Sequence, residues 1–131
     1  MFGTHRTAAK AYANIGLETG VIAASPHQLI TMLFDGAMAA ILKAKNHIQN
    51  NQIAEKGETI SKAIMIIDSG LRGGLNLDKG GNLAENLDAL YSYMVQRLME
   101  ANLRNDPALL KEVYGLLNDL KSAWVGMADQ N

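Results

Sequence analysis

The 131-residue chain carries 12 Lys and Arg against 13 Asp and Glu, for a formal net charge of −1, and 48% of its residues are hydrophobic although only 5% are aromatic. The absence of cysteine excludes disulfides and zinc–thiolate sites, and the hydrophobic content excludes a disordered chain. The near-neutral charge and the scattered basic residues argue against a nucleic-acid partner. The length suits one domain with a substantial core.

The sequence contains no predicted targeting or membrane segment. The longest uncharged stretch, residues 19–34, contains the polar run Ser25-Pro26-His27-Gln28, so it lacks the roughly 20 apolar residues of a spanning helix. No apolar region of a signal peptide follows the first basic residues. We therefore expect no membrane insertion and a cytoplasmic location.

The first 24 residues contain three glycines and few large apolar side chains. This composition predicts an N-terminal arm or a short cap helix, which has no partner helix in the sequence. The arm either docks into a groove of the following domain or stays apart from it. We expect residues 1–24 to form this arm and residues 25–131 to form the single folded domain.

Three helix starts are marked by capping residues. Ser25 is a favourable N-cap, Pro26 fits the first helical position, and Gln28 completes a capping box. Asn82 is predicted to cap a later helix in the same way, and Asp106 a third, which again begins with proline.

Apolar residues recur with the 3.6-residue period of a helix behind each of these starts and also over residues 53–71. No segment alternates with a period of two, so we expect no strand. The linkers, about residues 50–53, 75–82 and 103–106, are short, and short links make consecutive helices antiparallel neighbours. The predicted fold is all-α, an antiparallel up-down four-helix bundle.

The residues do not support a catalytic, metal or cofactor site. A di-iron bundle needs Glu-x-x-His pairs, but Phe2, Ala24 and Ala44 stand three residues before the three histidines. Ser25 lies in no nucleophile motif, and the glycine pairs lack the Lys-Ser/Thr of a phosphate loop. We expect His27 and His47 to lie in solvent. A non-covalent haem held by one His and one Met remains an alternative.

Two predicted helices have more apolar width than one core-facing stripe of about 100° requires. The excess lies at Leu29, Ile30, Met32, Leu33 and Phe34 in the first, and at Leu87, Leu90, Tyr91, Tyr93 and Met94 in the third. These residues either fill the core or form a groove for a partner helix, and methionine-rich apolar surfaces suit adaptable helix recognition. The residues alone therefore predict a bundle that binds a helical partner.

Short motifs occur in a fixed order from about Lys10 to Met127. They include Lys10-Ala11-Tyr12, residues 24–30, Met32-Leu33-Phe34-Asp35-Gly36, Lys79-Gly80-Gly81, residues 86–94, Arg97-Leu98, Ala101-Asn102, Asp106 and Ala123-Trp124. This ordered set resembles the FliS family, the flagellin export chaperones of bacterial flagella.

The resemblance implies a cytoplasmic chaperone without catalytic activity. Such a protein binds the disorder-prone C-terminal region of flagellin, prevents premature polymerisation and brings flagellin to the flagellar type III export gate. In the family the arm is thought to cap the groove that flagellin occupies, and an arm tyrosine is linked to docking at the export gate. Tyr12 takes that place here, with Ile15 as a second arm contact, and we expect a monomer that binds one flagellin segment.

The candidate groove residues lie on the second and third predicted helices: Ile60, Ile64, Ile67, Leu71, Leu87, Leu90, Tyr91, Met94 and Leu98. Each of them is alternatively a core residue of the bundle. Trp124 is expected to be a core ring whose N–H needs a partner. Two other functions remain open, a bundle adaptor for a different helical partner and a bundle that holds a small ligand or haem.

Overall fold

The computed structural model describes residues 24–128, and every regular element among them is a helix. Helix α1 spans Pro26–Gln49, α2 spans Ile53–Met65, α3 spans Gly81–Arg104 and α4 spans Pro107–Ala128. Helix α2 continues without a break into a π-helical stretch, Ile66–Arg72, called the π segment below. Both α1 and α3 pack against α2 and α4. The predicted all-α four-helix bundle is confirmed.

All four helices contribute side chains to one core. Among the fully buried large residues are Leu33 and Ile41 of α1, Ile60 of α2, Leu98 of α3 and Leu117 of α4. Burial of each such side chain stabilises the fold by roughly 1.5–3 kcal/mol relative to its exposure. Alanines on α1, α2 and α3 are also fully buried and let the helices approach closely.

Two of the predicted helix caps are present. The Ser25 hydroxyl accepts a hydrogen bond from the Gln28 backbone N–H at 3.2 Å, and the Gln28 side chain accepts one from the Ser25 backbone N–H at 2.8 Å. Pro26 begins α1 at a position where its missing N–H has no intrahelical partner to lose. Asp106 accepts a hydrogen bond from the Ala108 N–H at 2.9 Å and so caps α4.

The prediction that Asn82 caps α3 is wrong. The N-cap of α3 is Gly80, and no side chain bonds to the first turn. The preceding loop is closed by Asn76, whose backbone oxygen accepts from the Gly80 N–H at 2.8 Å. A Cβ at Gly80 would lie 2.7 Å from that oxygen, and Gly81 has a φ of +59°. Because these two glycines make the tight turn, the helix begins before Asn82.

The second predicted helix departs from α geometry over its last seven residues. The Gly73 N–H bonds to the Asp68 carbonyl, five residues back, at 2.9 Å. Gly70 allows the π segment to lie directly against α1, because a Cβ there would come within 2.9 Å of Leu33 Cδ2. The sequence pattern, which continues with a 3.6-residue period to Leu71, did not indicate this change.

Candidate partner-binding surface

The predicted groove residues lie on neighbouring elements, but most of them are core residues in this structure. Ile60, Ile67, Leu71, Tyr91, Met94 and Leu98 are buried between the helices, whereas Ile64, Leu87 and Leu90 are half-buried and pack against the core. The buried six therefore hold the bundle together, and the remaining three reach its surface.

Five apolar side chains that remain exposed or half-buried along α2 and α3 form a set in which only Ile64 was predicted from the sequence to line a groove. On α3, Met99 and Leu103 follow the half-buried Val95 at intervals of four residues, and they are 59% and 83% exposed. On α2, Ile53 is 49% exposed, and the half-buried Ile64 lies further along the helix. These five residues define what we call the α2–α3 groove. The four-residue spacing on α3 was the signal that could have identified it.

A buried lysine closes one end of this groove. Lys56 of α2 is only 5% exposed, and its Nζ donates hydrogen bonds to the Asn102 carbonyl at 2.8 Å and to Asn105 Oδ1 at 2.5 Å. Asn105 is the left-handed C-cap of α3, with a φ of 53°. The ammonium group therefore lies at the negative end of the α3 dipole, where a cation is stabilised. These bonds bring the start of α2 and the end of α3 to the same end of the bundle.

An arginine of the π segment lies at the other end of the groove. Arg72 Nε donates to Asp88 Oδ1 of α3 at 2.7 Å, and Arg72 Nη1 lies 3.3 Å from Asp68 Oδ1 in the same segment. The hydrogen bond to Asp88 is the main reason that the pKa of Arg72 is raised. Both side chains remain about one third exposed, so this contact is held less firmly than the buried Lys56 contact.

The opposite edge of α3 is polar. The Tyr93 hydroxyl donates to Glu112 Oε2 of α4 at 2.5 Å, and Arg97 Nε donates to Glu112 Oε1 at 2.8 Å. These bonds, first from Tyr93 and then from Arg97, lower the pKa of the Glu112 carboxyl group. The bond to Glu112 in turn raises the pKa of Tyr93. The α3–α4 edge is therefore closed by charged and polar contacts, unlike the apolar α2–α3 groove.

The prediction that His27 lies in solvent is wrong. Its ring is half-buried and stacks on Trp124, with ring centroids 4.5 Å apart and planes 7° from parallel. His27 Nε2 lies 2.9 Å from the Trp124 carbonyl, and this nitrogen carries the hydrogen because a carbonyl only accepts. The Trp124 indole N–H donates to the His27 carbonyl at 3.1 Å, so the expected N–H partner is present although the ring is only half-buried. These contacts join the start of α1 to the end of α4.

Other predictions fall on different parts of the chain. Tyr12 and Ile15 lie outside the described residues. His47 hydrogen-bonds the Gln52 side chain at the α1–α2 turn, at 2.8 Å. Within residues 24–128, no cluster of three His, Asp or Glu side chains could hold a metal ion. No helix in this described part has the length and apolar character needed to span a membrane.

The motifs that run through the chain match a known family over almost its entire length. Residues 8–131 match the family described as Flagellar protein FliS. The chain belongs to the FliS family. It is 52% identical over 115 residues to the flagellar secretion chaperone FliS of Salmonella typhimurium, covering 88% of this chain and 85% of that protein. The same protein of Escherichia coli K12 is 49% identical with the same coverage, and FliSB of Pseudomonas aeruginosa is 46% identical over 92% of this chain and 95% of its own.

Proposed function

We propose that this chain is a cytoplasmic secretion chaperone for flagellin. It binds the C-terminal segment of flagellin, prevents premature polymerisation and delivers the subunit to the flagellar type III export apparatus. Membership of the FliS family carries the proposal, since relatives with 46–52% identity are named flagellar secretion chaperones. A chaperone binds its client without converting it, so the proposal assigns no catalytic residue and no cofactor.

The α2–α3 groove is the proposed client site. Its exposed side chains, Ile53, Met99 and Leu103, are large and apolar, and the i+4 spacing on α3 suits an amphipathic helix laid along the groove. Of the predicted groove residues, the half-buried Ile64 lies in it directly. The buried ones become available only where α2 and α3 separate. The net charge of −1 favours recognition by apolar contact over long-range electrostatic steering.

The N-terminal arm, residues 1–24, is proposed to cover this groove in the absence of client and to be displaced when client binds. Tyr12 and Ile15 are its proposed contacts, and Tyr12 also contributes to docking at the export gate. Residues 25–131 form the client-binding bundle as one domain, which acts as a monomer and binds one flagellin segment. The sequence pattern of the arm and the resemblance to the family support this arrangement.

Isothermal titration calorimetry with a flagellin C-terminal peptide tests the proposal. We expect a 1:1 complex and a negative heat-capacity change, because apolar surface is buried as the peptide orders. A full-length chain that gives neither heat nor a heat-capacity change would contradict the proposed function.

A pair of matched variants tests the site itself. Met99→Gln keeps the length of the side chain but removes its apolar end, which is worth roughly 1.5 kcal/mol or more when buried, so the Kd should rise about tenfold. Leu42→Gln is the control: Leu42 is 47% exposed on α1, two turns after Asp35, which pairs with Lys121 of α4. It therefore lies on the α4 side of α1. Equal effects of the two variants would contradict the assignment of the groove.

A further inference from the structure

The π segment is the most unusual backbone feature of the described chain. It spans seven residues, whereas π geometry usually occurs as single turns, often at functional sites. It lies at the end of α2, at the end of the α2–α3 groove that Arg72 and Asp88 close, called the lower end below. It contains two predicted groove residues, Ile67 and Leu71. The π geometry changes the direction in which the side chains of this segment point, and this change gives the segment its role in the groove.

The π geometry turns Arg72 toward α3. If α2 continued as an α-helix, Arg72 would point about 180° away from the fully buried Ala63, nine residues earlier, and so away from the bundle. In the π segment each turn holds an additional residue, and Arg72 instead reaches Asp88 of α3 at 2.7 Å. The contact that closes the lower end of the groove therefore depends on the π geometry of residues 66–72. We call this arrangement the π register, and the same residues in α-helical geometry the α register.

The sequence is also compatible with the α register. Ile64 and Leu71 are seven residues apart, so a continuous α-helix would place them within about 20° of each other on its surface. Leu71 would then extend the apolar stripe of the groove, whereas in the π register it is turned inward and only 3% exposed. Asp68 and Arg72 have the i,i+4 spacing of an α-helical ion pair, so their contact fits the α register.

We propose that the π segment is a two-register gate of the α2–α3 groove. Without client, the π register holds Arg72 on Asp88 and keeps Leu71 in the core. With client bound, the segment adopts the α register, Leu71 joins the contact surface, and Arg72 pairs with Asp68 alone. This inference rests on the proposed function of the chain.

The gate has a physical driving force. A client shifts an equilibrium between two states only if it binds one of them better, and the α register offers it one more large apolar side chain, Leu71. The two ends of the groove differ in how easily they open. Lys56 is buried and bonded to the last turn of α3, whereas the Arg72–Asp88 pair is partly exposed to solvent. The lower end of the groove, which carries the π segment, is therefore the end that opens.

The affinity of two matched variants of the full-length chain for the flagellin C-terminal peptide tests the gate. Asp88→Asn weakens the contact that exists only in the π register, so the peptide should bind about two- to fivefold more tightly, the range set by a partly exposed ion pair. Asp68→Asn removes the contact that the α register keeps, so it should leave the affinity unchanged or lower it. NMR of the wild-type complex should show i to i+4 backbone contacts across residues 66–72 in place of i to i+5 contacts.

The outcomes separate the gate from the function on which it rests. A tighter Asp88→Asn complex, together with the change of backbone contacts, supports the gate. The gate is overturned, and the chaperone function stands, if the wild type binds the peptide but the two variants bind it with the same affinity. The same conclusion follows if i to i+5 contacts persist in the complex. A wild-type chain that does not bind the peptide overturns both.

Discussion

Lys56 provides the sharpest test of how this bundle is held together. Of the described residues, it is the charged side chain that the fold buries, and its Nζ bonds to the Asn102 carbonyl and to Asn105 Oδ1. Lys56→Met keeps the aliphatic stem but removes the ammonium group, so both oxygens lose this donor. The start of α2 then loses its polar connection to the end of α3.

The expected effect follows from these two bonds. A hydrogen bond from a charged donor contributes about 1.5–3 kcal/mol, and two such bonds are lost. Part of this loss is offset because the variant no longer buries an ammonium group away from water. We expect a net destabilisation of about 2 kcal/mol. For a domain of this size, this corresponds to a fall in Tm of about 8 °C.

Urea unfolding followed by far-ultraviolet circular dichroism measures this effect. The control is Lys45→Met on the exposed face of α1, which makes the same chemical change and should alter the free energy of unfolding by less than about 0.5 kcal/mol. Asn105→Gly suits the left-handed cap but removes the Oδ1 acceptor, so it should show a coupling of about 1 kcal/mol with Lys56→Met. If Lys56→Met is as stable as Lys45→Met, the buried ammonium does not stabilise the bundle.

Three other positions, at Gly70, Glu112 and Tyr91, can be tested in the same way, by single substitutions. Gly70→Ala should be about 1–3 kcal/mol less stable than Gly115→Ala. A Cβ at Gly70 would lie 2.9 Å from the buried Leu33 side chain, whereas a Cβ at Gly115 would meet nothing within 4 Å. Equal unfolding midpoints of the two variants would contradict this. Hydrogen bonds from α3 lower the pKa of the Glu112 carboxyl group in the folded state below its unfolded-state value of 4.5. The stabilisation by this carboxylate is therefore present above pH 4.5 and is lost as the pH falls through the lower pKa of the folded state. Glu112→Gln should therefore lose less stability than the wild type on acidification, in unfolding curves measured on both sides of that value. Burial raises the pKa of Tyr91 to about 12. The stability that comes with the buried neutral phenol is therefore fully present below pH 10 and is lost as the pH rises toward 12. An ultraviolet titration in which Tyr91→Phe removes no late-ionising phenol would refute this.

The fold and two of the three predicted caps could be derived from the sequence because the interactions involved are local. The capping box of Ser25 and Gln28 spans three residues, and Asp106 bonds to an N–H two residues later. The periodic apolar pattern showed excess apolar width on the first and third predicted helices, whereas the proposed groove lies between α2 and α3. It could not separate groove from core, because a half-buried Ile64 and a buried Ile60 occupy the same stripe of α2.

The sequence by itself thus determined the helical fold, most helix boundaries and, through its ordered motifs, the family. Only the tertiary structure decided the features that join distant parts of the chain. Lys56 meets its partners 46 and 49 residues away, and the contacts between His27 and Trp124 span 97 residues. The π segment likewise depends on neighbouring helices, because it allows Gly70 to lie against α1 and Arg72 to reach α3. A local pattern records which residues prefer burial, whereas such contacts depend on which helix lies opposite them once the bundle has closed.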